Sequence, residues 1–452
     1  MPTSNRLSQF EGSSVPRLIA KFAVPTILSQ LVTLIYNLAD TYFVGQTGDP
    51  AQVAALTLSF PIFMSMTMVA NLFGIGANSY ISRSLGMRKQ RQAAFASTFA
   101  FYGAMAGVII IMAVLLLFMD YILYGIGART AESAAATEAY LKWTVIFGGI
   151  PTVSALMMGH LLRAEGNTKK ASTGMILGGL LNVALDYIFV FMMDLGAEGA
   201  GIATCIANVV SLAYMLAVAL TNKRTIIELN ILHLVFIKQM IKQILFIGLP
   251  AAMIIILGST ANIVLTNQMS VYGDVSIAAF GIVQKFGTIA IQITVGLTQG
   301  IMPLLGYHYG AGNMSRVKEI NRWSFGLLGT YAAFCVAAIE LFTEPLVMIF
   351  MREPVTVATA ITFARAWILC APGMCFTNLF CSIFQAMGKG FESLTLSVVR
   401  QGFLLIPLLL VLNRMFGAMG LVCSQPAADS ITLVIGSVLY VKTIRKQGDE
   451  KK

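Results

Sequence analysis

The sequence has few charged residues for its length. Among 452 residues only 11% are Asp, Glu, Lys or Arg, whereas 57% are apolar and the mean hydropathy is +0.79. Soluble globular proteins average roughly 25% charged residues, so this composition excludes a soluble domain. The sequence therefore predicts a protein that crosses a membrane many times.

The motifs of several enzyme and pump classes are also missing. The chain contains no Walker A sequence for binding nucleotide phosphates and no HExxH sequence for a zinc protease. A pair of membrane aspartates could serve an intramembrane protease, but Asp49 lies in GQTGD rather than in a GxGD-type setting. We therefore predict neither an enzyme nor an ATP-driven pump, and no cofactor.

The cysteines show no spacing that is typical of a metal site or a disulfide framework. All six fall inside apolar segments, without a CxxC pattern or a neighbouring histidine. We interpret them as small buried hydrophobic residues. They are Cys205, Cys335, Cys370, Cys375, Cys381 and Cys423.

Long apolar runs fill most of the chain. A helix needs about 20 apolar residues to cross a bilayer, and lipid-facing β-strands alternate over about 10, so these runs predict helices. The twelve runs lie near 17–44, 54–79, 94–118, 139–162, 172–193, 199–221, 240–267, 276–303, 322–345, 357–386, 393–413 and 420–441. The predicted fold is an all-α membrane protein with twelve transmembrane helices.

The basic residues predict the orientation of these helices. If both termini are cytoplasmic, most of the 30 Lys and Arg residues fall in cytoplasmic connections, as the positive-inside rule requires. The net charge of +10 then reflects membrane topology, not a nucleic-acid partner. We predict a multi-pass protein of the cell membrane, with both termini cytoplasmic and no removable signal.

The two halves of the chain resemble each other at a shift of about 225 residues. Six helices in each half return the chain to its starting side, so the halves run parallel around a pseudo-twofold axis with a central cavity. We predict an N-terminal lobe at 1–221, a cytoplasmic linker at 222–239 and a C-terminal lobe at 240–452. The aligned pairs are Pro25 with Pro250, Asn37 with Asn262, Gly48 with Gly273, Gly76 with Gly300, Gly86 with Gly310, Pro151 with Pro372 and Gly166 with Gly388.

Two aspartates lie well inside predicted spans of the first lobe. They are Asp40 in NLADTYFVG and Asp186 in LLNVALDY. A charge inside the bilayer costs ~2.5 kcal/mol or more, so such residues indicate function. Asn37 and Asn182 share a helix face with them, and Thr204 lies at a similar depth in the sixth span. These oxygens suit a cation such as Na⁺, and two close carboxylates also suit a proton; for the amides and the hydroxyl, hydrogen bonds between helices are the alternative.

Several stretches together resemble the multidrug and toxic compound extrusion (MATE) transporters, and the likeness covers nearly the whole chain. They include NLADTYFVG, LLRAEGNTKKA, NVALDYIFV, GAEGAGIATCIAN and QGIMPLLGYHYGAGN. The resemblance implies a secondary active antiporter that exports amphipathic, often cationic compounds in exchange for H⁺ or Na⁺. It also implies that the coupling ion binds at Asp40, Asn182, Asp186 and Thr204.

The seventh predicted span separates two branches of this family. One branch carries a Glu there and an Asp in the second lobe, whereas this span has no acid, which places the chain closer to the DinF-like and MepA-like branch. The chain differs from many relatives at Gly159-His160, where an Asn is common. His160 is either an additional titrating group or a neutral residue near the end of the fourth span.

The substrate cavity is less well specified than the ion site. With 25 Met and 28 Phe residues, the chain has enough adaptable apolar surface for many ligand shapes. We expect small-molecule drugs or metabolites and the lipid bilayer as partners, no nucleic acid, and a monomer. The polar candidates for the cavity are Asn37, Gln268, Gln284 and Gln299.

A lipid-linked oligosaccharide flippase of the same superfamily is the alternative function. It would need a strongly cationic cavity to hold a pyrophosphate, and the second-lobe spans offer only Lys285 and Arg400. The coupling ion also stays open between H⁺ and Na⁺, because the same oxygens serve both.

Overall fold

The computed structural model describes residues 9–11, 14–222 and 225–449, and helices account for most of them. No β-strand occurs in this part of the chain. Residues 1–8 and 450–452, at the two ends that we predict to be cytoplasmic, and linker residues 223–224 lie outside the described residues.

The first half of the chain forms helices α1 to α8. A π-helical segment, Lys142–Phe147, connects α5 to α6, and a second one, Tyr187–Met192, continues α7. The helices are α1 Val15–Gly45, α2 Pro50–Gly86, α3 Gln90–Leu117, α4 Met119–Ile126, α5 Ala131–Leu141, α6 Gly149–Ala164, α7 Thr168–Asp186 and α8 Gly196–Thr221.

The second half forms helices α9 to α15. A third π-helical segment, Val399–Leu405, lies between α14 and α15, and short 3₁₀ turns precede and follow α9 at Ile231–His233 and Ser270–Tyr272. The helices are α9 Lys238–Met269, α10 Asp274–Gly310, α11 Met314–Met348, α12 Pro354–Ile368, α13 Ala371–Ala386, α14 Gly390–Val398 and α15 Ile406–Asp449.

These helices provide the twelve predicted spans. Ten are long and apolar enough to cross a membrane, and α5 with α6 makes an eleventh that is bent by 51°. The last candidate, Gly390–Arg445, has 56 residues, roughly 84 Å of helix, which far exceeds a hydrocarbon core of about 30 Å. The chain reverses at Gly417, since a Cβ on Gly420 would touch the carbonyl group of Leu412. This stretch therefore supplies two spans.

The fourth span starts earlier than its apolar run indicated. The run begins near 139, but α5 begins at Ala131, where the Thr130 side chain accepts a hydrogen bond from the backbone N–H of Ser133. The α5 sequence, AESAAATEAYL, is helix-forming but only weakly apolar, so hydropathy alone does not reveal it. The short helix α4 was likewise absent from the predicted runs.

The repeat that the sequence predicts recurs in the backbone conformation. Gly48 and Gly273, a predicted pair, have φ angles of 71° and 84°; Gly166 and Gly388, another pair, have 92° and 76°. Only glycine adopts these left-handed conformations without strain, so both halves use the same turns at the same places.

The lobes contact each other in a reciprocal way. Helix α1 packs against α10, and α9 packs against α2, so the first helix of each lobe meets the second helix of the other. Exchange of equivalent contacts is what a twofold axis produces.

Four glycines make the closest contacts between the lobes, and we call them the glycine interface: Gly76, Gly86, Gly248 and Gly310. Gly86 lies against the carbonyl oxygen of Tyr307, and Gly310 against that of Arg83. All four lie at the end of the molecule where α1 begins and where α2 and α10 end, here called the terminus side. The lobes are therefore held together on that side.

The described part of the linker is attached to the first lobe. Glu165 accepts hydrogen bonds from the Thr225 hydroxyl group and the Ile226 backbone N–H, and Tyr102 donates to the carbonyl oxygen of Leu229. The lobe boundaries themselves remain predictions.

Candidate functional site

Asp40 and Asp186 face each other where α1 packs against α7. The two residues are 6% and 0% exposed, and their carboxyl groups lie close enough to interact electrostatically. Neither forms an ion pair with any described basic residue. We call these two residues the acid pair.

The acid pair is rich in acceptor oxygens that no protein donor reaches. Asp40 Oδ1, both carboxylate oxygens of Asp186 and the amide oxygen of Asn182 are buried and accept no hydrogen bond from the described residues. Buried polar atoms in proteins almost always have a partner. Carboxylate and amide oxygens match the ligands of a hard cation, and two adjacent carboxylates equally match a shared proton.

Asn182 and Thr204 join the acid pair to helix α8. Asn182 lies one helical turn before Asp186, and its amide nitrogen donates to the Thr204 hydroxyl oxygen at 3.3 Å. Asn208, one turn further along α8, donates to the Thr152 hydroxyl oxygen at 3.0 Å and so connects this group to α6. The structure thus brings together all four residues that the resemblance implies for the coupling ion.

Two tyrosines beside the acid pair were absent from the sequence prediction. Tyr36 precedes Asp40 by one turn of α1, and Tyr140, near the end of α5, is 9% exposed; both interact electrostatically with Asp40. The i,i+4 spacing could have indicated Tyr36. Tyr140 comes from another helix and gave no sequence signal.

Helical irregularities accompany the acid pair. The π-helical segment Tyr187–Met192 starts directly after Asp186, and the segment Lys142–Phe147 starts two residues after Tyr140. Such insertions rotate the following turn of a helix and occur frequently at functional sites. Two of the helices that surround the acids therefore change register beside them.

A cavity of about 400 Å³ lies next to this cluster. Asn37, Asn182, Thr204 and Asn208 line it, whereas Asp40 and Asp186 lie behind them and do not. The second lobe contributes Ile255, Gln292, Val295 and Gln299 to its wall. Its volume falls in the range of roughly 300–1,000 Å³ that is typical of small-molecule sites.

The four predicted polar cavity residues divide into two pairs. Asn37 and Gln299 line the cavity, and Gln299 also accepts a hydrogen bond from Gln30 across the lobes at 3.5 Å. Gln268 accepts from Asn413, and Gln284 donates to Asn262, both away from this lining. The second pair lies within the second lobe.

His160 and Arg163 of α6 also line the cavity. His160 is buried, and its Nε2 atom lies 3.3 Å from the Asn71 amide oxygen. Arg163 is 2% exposed and follows within one turn. The two cations considered for a flippase are elsewhere: Lys285 and Arg400 do not line this cavity, and Arg400 is paired with Asp429.

Comparison with known proteins gives matches over the whole chain. The family model MatE matches residues 25–188 and again residues 250–411. The multidrug export protein MepA of Staphylococcus aureus (strain NCTC 8325 / PS 47) is 31% identical over 443 residues, covering 97% of this chain and 96% of that protein. MepA of Staphylococcus saprophyticus (strain ATCC 15305) is also 31% identical with the same coverage.

A solved structure has the same fold. It is described as the outward-facing conformation of a multidrug resistance transporter of the MATE family, and it matches with a TM-score of 0.92 at 22% identity. The match covers 99% of this chain and 100% of that one.

Proposed function

Because the chain belongs to the MATE family, whose members are transporters and not enzymes, we propose that it exports amphipathic, often cationic drugs in exchange for H⁺ or Na⁺. One observation carries this proposal: the buried acid pair and Asn182, with four oxygens that accept no hydrogen bond from the described residues, adjoin a drug-sized cavity. The multidrug export function of the MepA relatives supports the substrate class.

The topology is part of the proposal. With both termini in the cytoplasm of a cell-membrane protein, the terminus side faces the cytoplasm. The glycine interface then closes the cytoplasmic side, and the conformation is one that opens outward. The residue ranges 1–221 and 240–452 are the two lobes that move relative to each other, and a monomer contains the complete site.

Charge repulsion provides the driving force for coupling. Two ionised carboxylates about 4 Å apart repel by ~4 kcal/mol at an effective dielectric constant of about 20. A bound Na⁺ or a shared proton removes this repulsion and lowers the energy of closing the helices around the acids. The ion therefore changes the relative stability of conformations, which is what transport coupling requires.

Asn182 connects the ion to the drug. Its amide nitrogen contacts Thr204, its oxygen has no donor, and its side chain lines the cavity. An ion coordinated by the Asn182 oxygen and the acid pair shifts the Asn182 side chain, which lines the cavity. Ion binding thereby reshapes the cavity and favours release of the drug.

Efflux from proteoliposomes with separate gradients tests this function. A fluorescent cationic dye is loaded, and a pH gradient or a Na⁺ gradient is imposed in parallel experiments. We expect one gradient to drive efflux by the parent protein, and Asp40→Asn and Asp186→Asn to lose that gradient dependence.

The matched control is Asp120→Asn, which removes an exposed acid of α4 outside the cavity. It should pump at the parent rate. If both acid-pair variants did so as well, the coupling assignment would be wrong. Translocation of a lipid-linked sugar without efflux under either gradient would favour the flippase instead.

A further inference from the structure

Arg163 is a buried cation without an acidic partner. It is 2% exposed, its Nε atom has no hydrogen-bond partner among the described residues, and its Nη1 atom donates to the Met175 sulfur at 3.4 Å. Across the described residues no carboxylate forms an ion pair with it. A sulfur atom is a weak acceptor, so the charge is not balanced by the protein around it.

The nearest acid in the sequence, Glu165, has other partners and forms no ion pair with Arg163. The Glu165 carboxylate accepts a hydrogen bond from the Asn167 amide at 2.6 Å. It also accepts hydrogen bonds from the linker residues Thr225 and Ile226. Its carboxylate connects the lobe to the linker and does not neutralise the arginine.

A second buried arginine, Arg400, shows how a buried guanidinium charge is balanced. Arg400 donates to both oxygens of Asp429, at 2.5 and 3.2 Å, and Gln425 donates to the same carboxylate. The planar guanidinium group favours this two-point contact with a carboxylate. Arg163 has the same planar guanidinium group, but no carboxylate of the described residues pairs with it.

Arg163 lines the cavity, and the residue one turn before it leaves space beside the guanidinium group. Position 159, one turn earlier on α6, is a glycine, and a Cβ atom there would lie 3.3 Å from Arg163 Nη2. A larger side chain would stand against the guanidinium group. The absence of a side chain at Gly159 therefore gives ligands in the cavity access to the arginine.

The cavity thus has two ends of opposite character. Thr152 lies beside Asn208 near the acid pair, and Arg163 lies eleven residues along the same helix, about 16 Å away at 1.5 Å per residue. A ligand between these ends can place a carboxylate against Arg163 while its cationic part faces the acid-pair end.

We propose that Arg163, made accessible by Gly159, binds the carboxylate of zwitterionic amphipathic substrates in the cavity between the lobes. This inference rests on the proposed export function and specifies its substrate class. The cation recognition belongs to the ion-site end, and the carboxylate recognition belongs to Arg163.

A pair of dyes tests this assignment. Rhodamine 110 and rhodamine 123 share the same cationic ring system, but the first has a free carboxylate and the second its methyl ester. Binding to the purified full-length protein is measured by fluorescence anisotropy. Charge-assisted contacts contribute enough that Arg163→Gln should weaken rhodamine 110 binding about tenfold or more, with rhodamine 123 changed by less than about twofold.

The repeat offers a substitution that the fold tolerates. Gln385 occupies the position equivalent to Arg163, because Gly388 pairs with Gly166. Arg163→Lys retains the charge without the two-point contact, and we expect it to lose part of the rhodamine 110 affinity.

The outcomes separate this inference from the proposed function. Equal loss of both dyes in Arg163→Gln, or no loss of either, would overturn the carboxylate assignment while leaving export of cations intact. Failure of the unsubstituted protein to bind either dye would overturn both. Loss confined to rhodamine 110 supports the assignment.

Discussion

Replacing Gly310 with alanine should open the terminus side of the molecule. A Cβ atom there would lie closer than 3.0 Å to the carbonyl oxygen of Arg83, a separation that real Cβ contacts do not show. Both groups belong to helix backbones, so the overlap cannot be relieved by a rotamer change. The two lobes must move apart by an ångström or more.

The size of the effect follows from packing energies. Inserting a methyl group into a tight interface costs about 1–3 kcal/mol. The open conformation does not bear this cost, because there the lobes no longer touch at Gly310. The ratio of closed to open molecules should therefore fall by roughly 5- to 150-fold. Gly86→Ala, at the equivalent position of the first lobe, should give a similar shift.

Distance measurements between spin labels can detect this change. Labels on cysteines introduced at Arg91 and Lys318, both exposed on the terminus side, report the separation of the lobes in a background without the six native cysteines. Double electron–electron resonance should show a longer distance in Gly310→Ala.

The control is Gly326→Ala, since a Cβ atom at Gly326 of α11 meets open space. It should leave the distance distribution unchanged. An unchanged distribution in Gly310→Ala, or the same lengthening in Gly326→Ala, would refute the role of the glycine interface.

Two further predictions concern stability. Asp429→Asn or Arg400→Met alone should lower the melting temperature strongly, because breaking a buried ion pair costs about 3–5 kcal/mol. The double variant should recover much of this loss. If the two losses in stability simply added in the double variant, the pairing would be contradicted. Glu353 caps α12, and hydrogen bonds that its carboxylate accepts from the Thr356 side chain and backbone hold its pKa below the usual value. Glu353→Gln should therefore lower the melting temperature at neutral pH, and the difference should disappear as the pH falls through this lowered pKa; a difference that persists in acid would argue against the cap.

The sequence predicts the helices and the acid pair because both produce strong local signals. Asp40 and Asp186 interrupt apolar runs, and a charge in such a run needs a functional explanation. The repeat is similarly visible from glycine and proline positions. These features require no knowledge of which helices touch.

Features that depend on contacts between helices were not predicted. Tyr140 lies beside the acid pair but belongs to α5, and Asp429 pairs with Arg400, which is 29 residues earlier in the sequence. An aromatic residue in a span is usual, and a single acid does not identify its partner. The bend of 51° between α5 and α6 was not predicted either, although Gly148, Gly149 and Pro151 lie at it.

The two lobes share a fold, but only the first has aspartates at the two positions of the proposed ion site. The two family-model matches begin at 25 and 250 and end at 188 and 411. The same shifts place Leu265 at the position of Asp40 and Leu409 at that of Asp186, and both leucines belong to one buried apolar cluster of the second lobe.

The buried acid that the second lobe does have is already neutralised. Asp429 holds Arg400 in a two-point ion pair, so it has no need of a cation from outside. The acid pair of the first lobe has no such internal partner among the described residues. In the proposed mechanism the ion binds to the acid pair of the first lobe, while the Arg400–Asp429 pair of the second lobe keeps its charge balance. In that mechanism, this asymmetry is what converts ion binding into relative motion of the two halves.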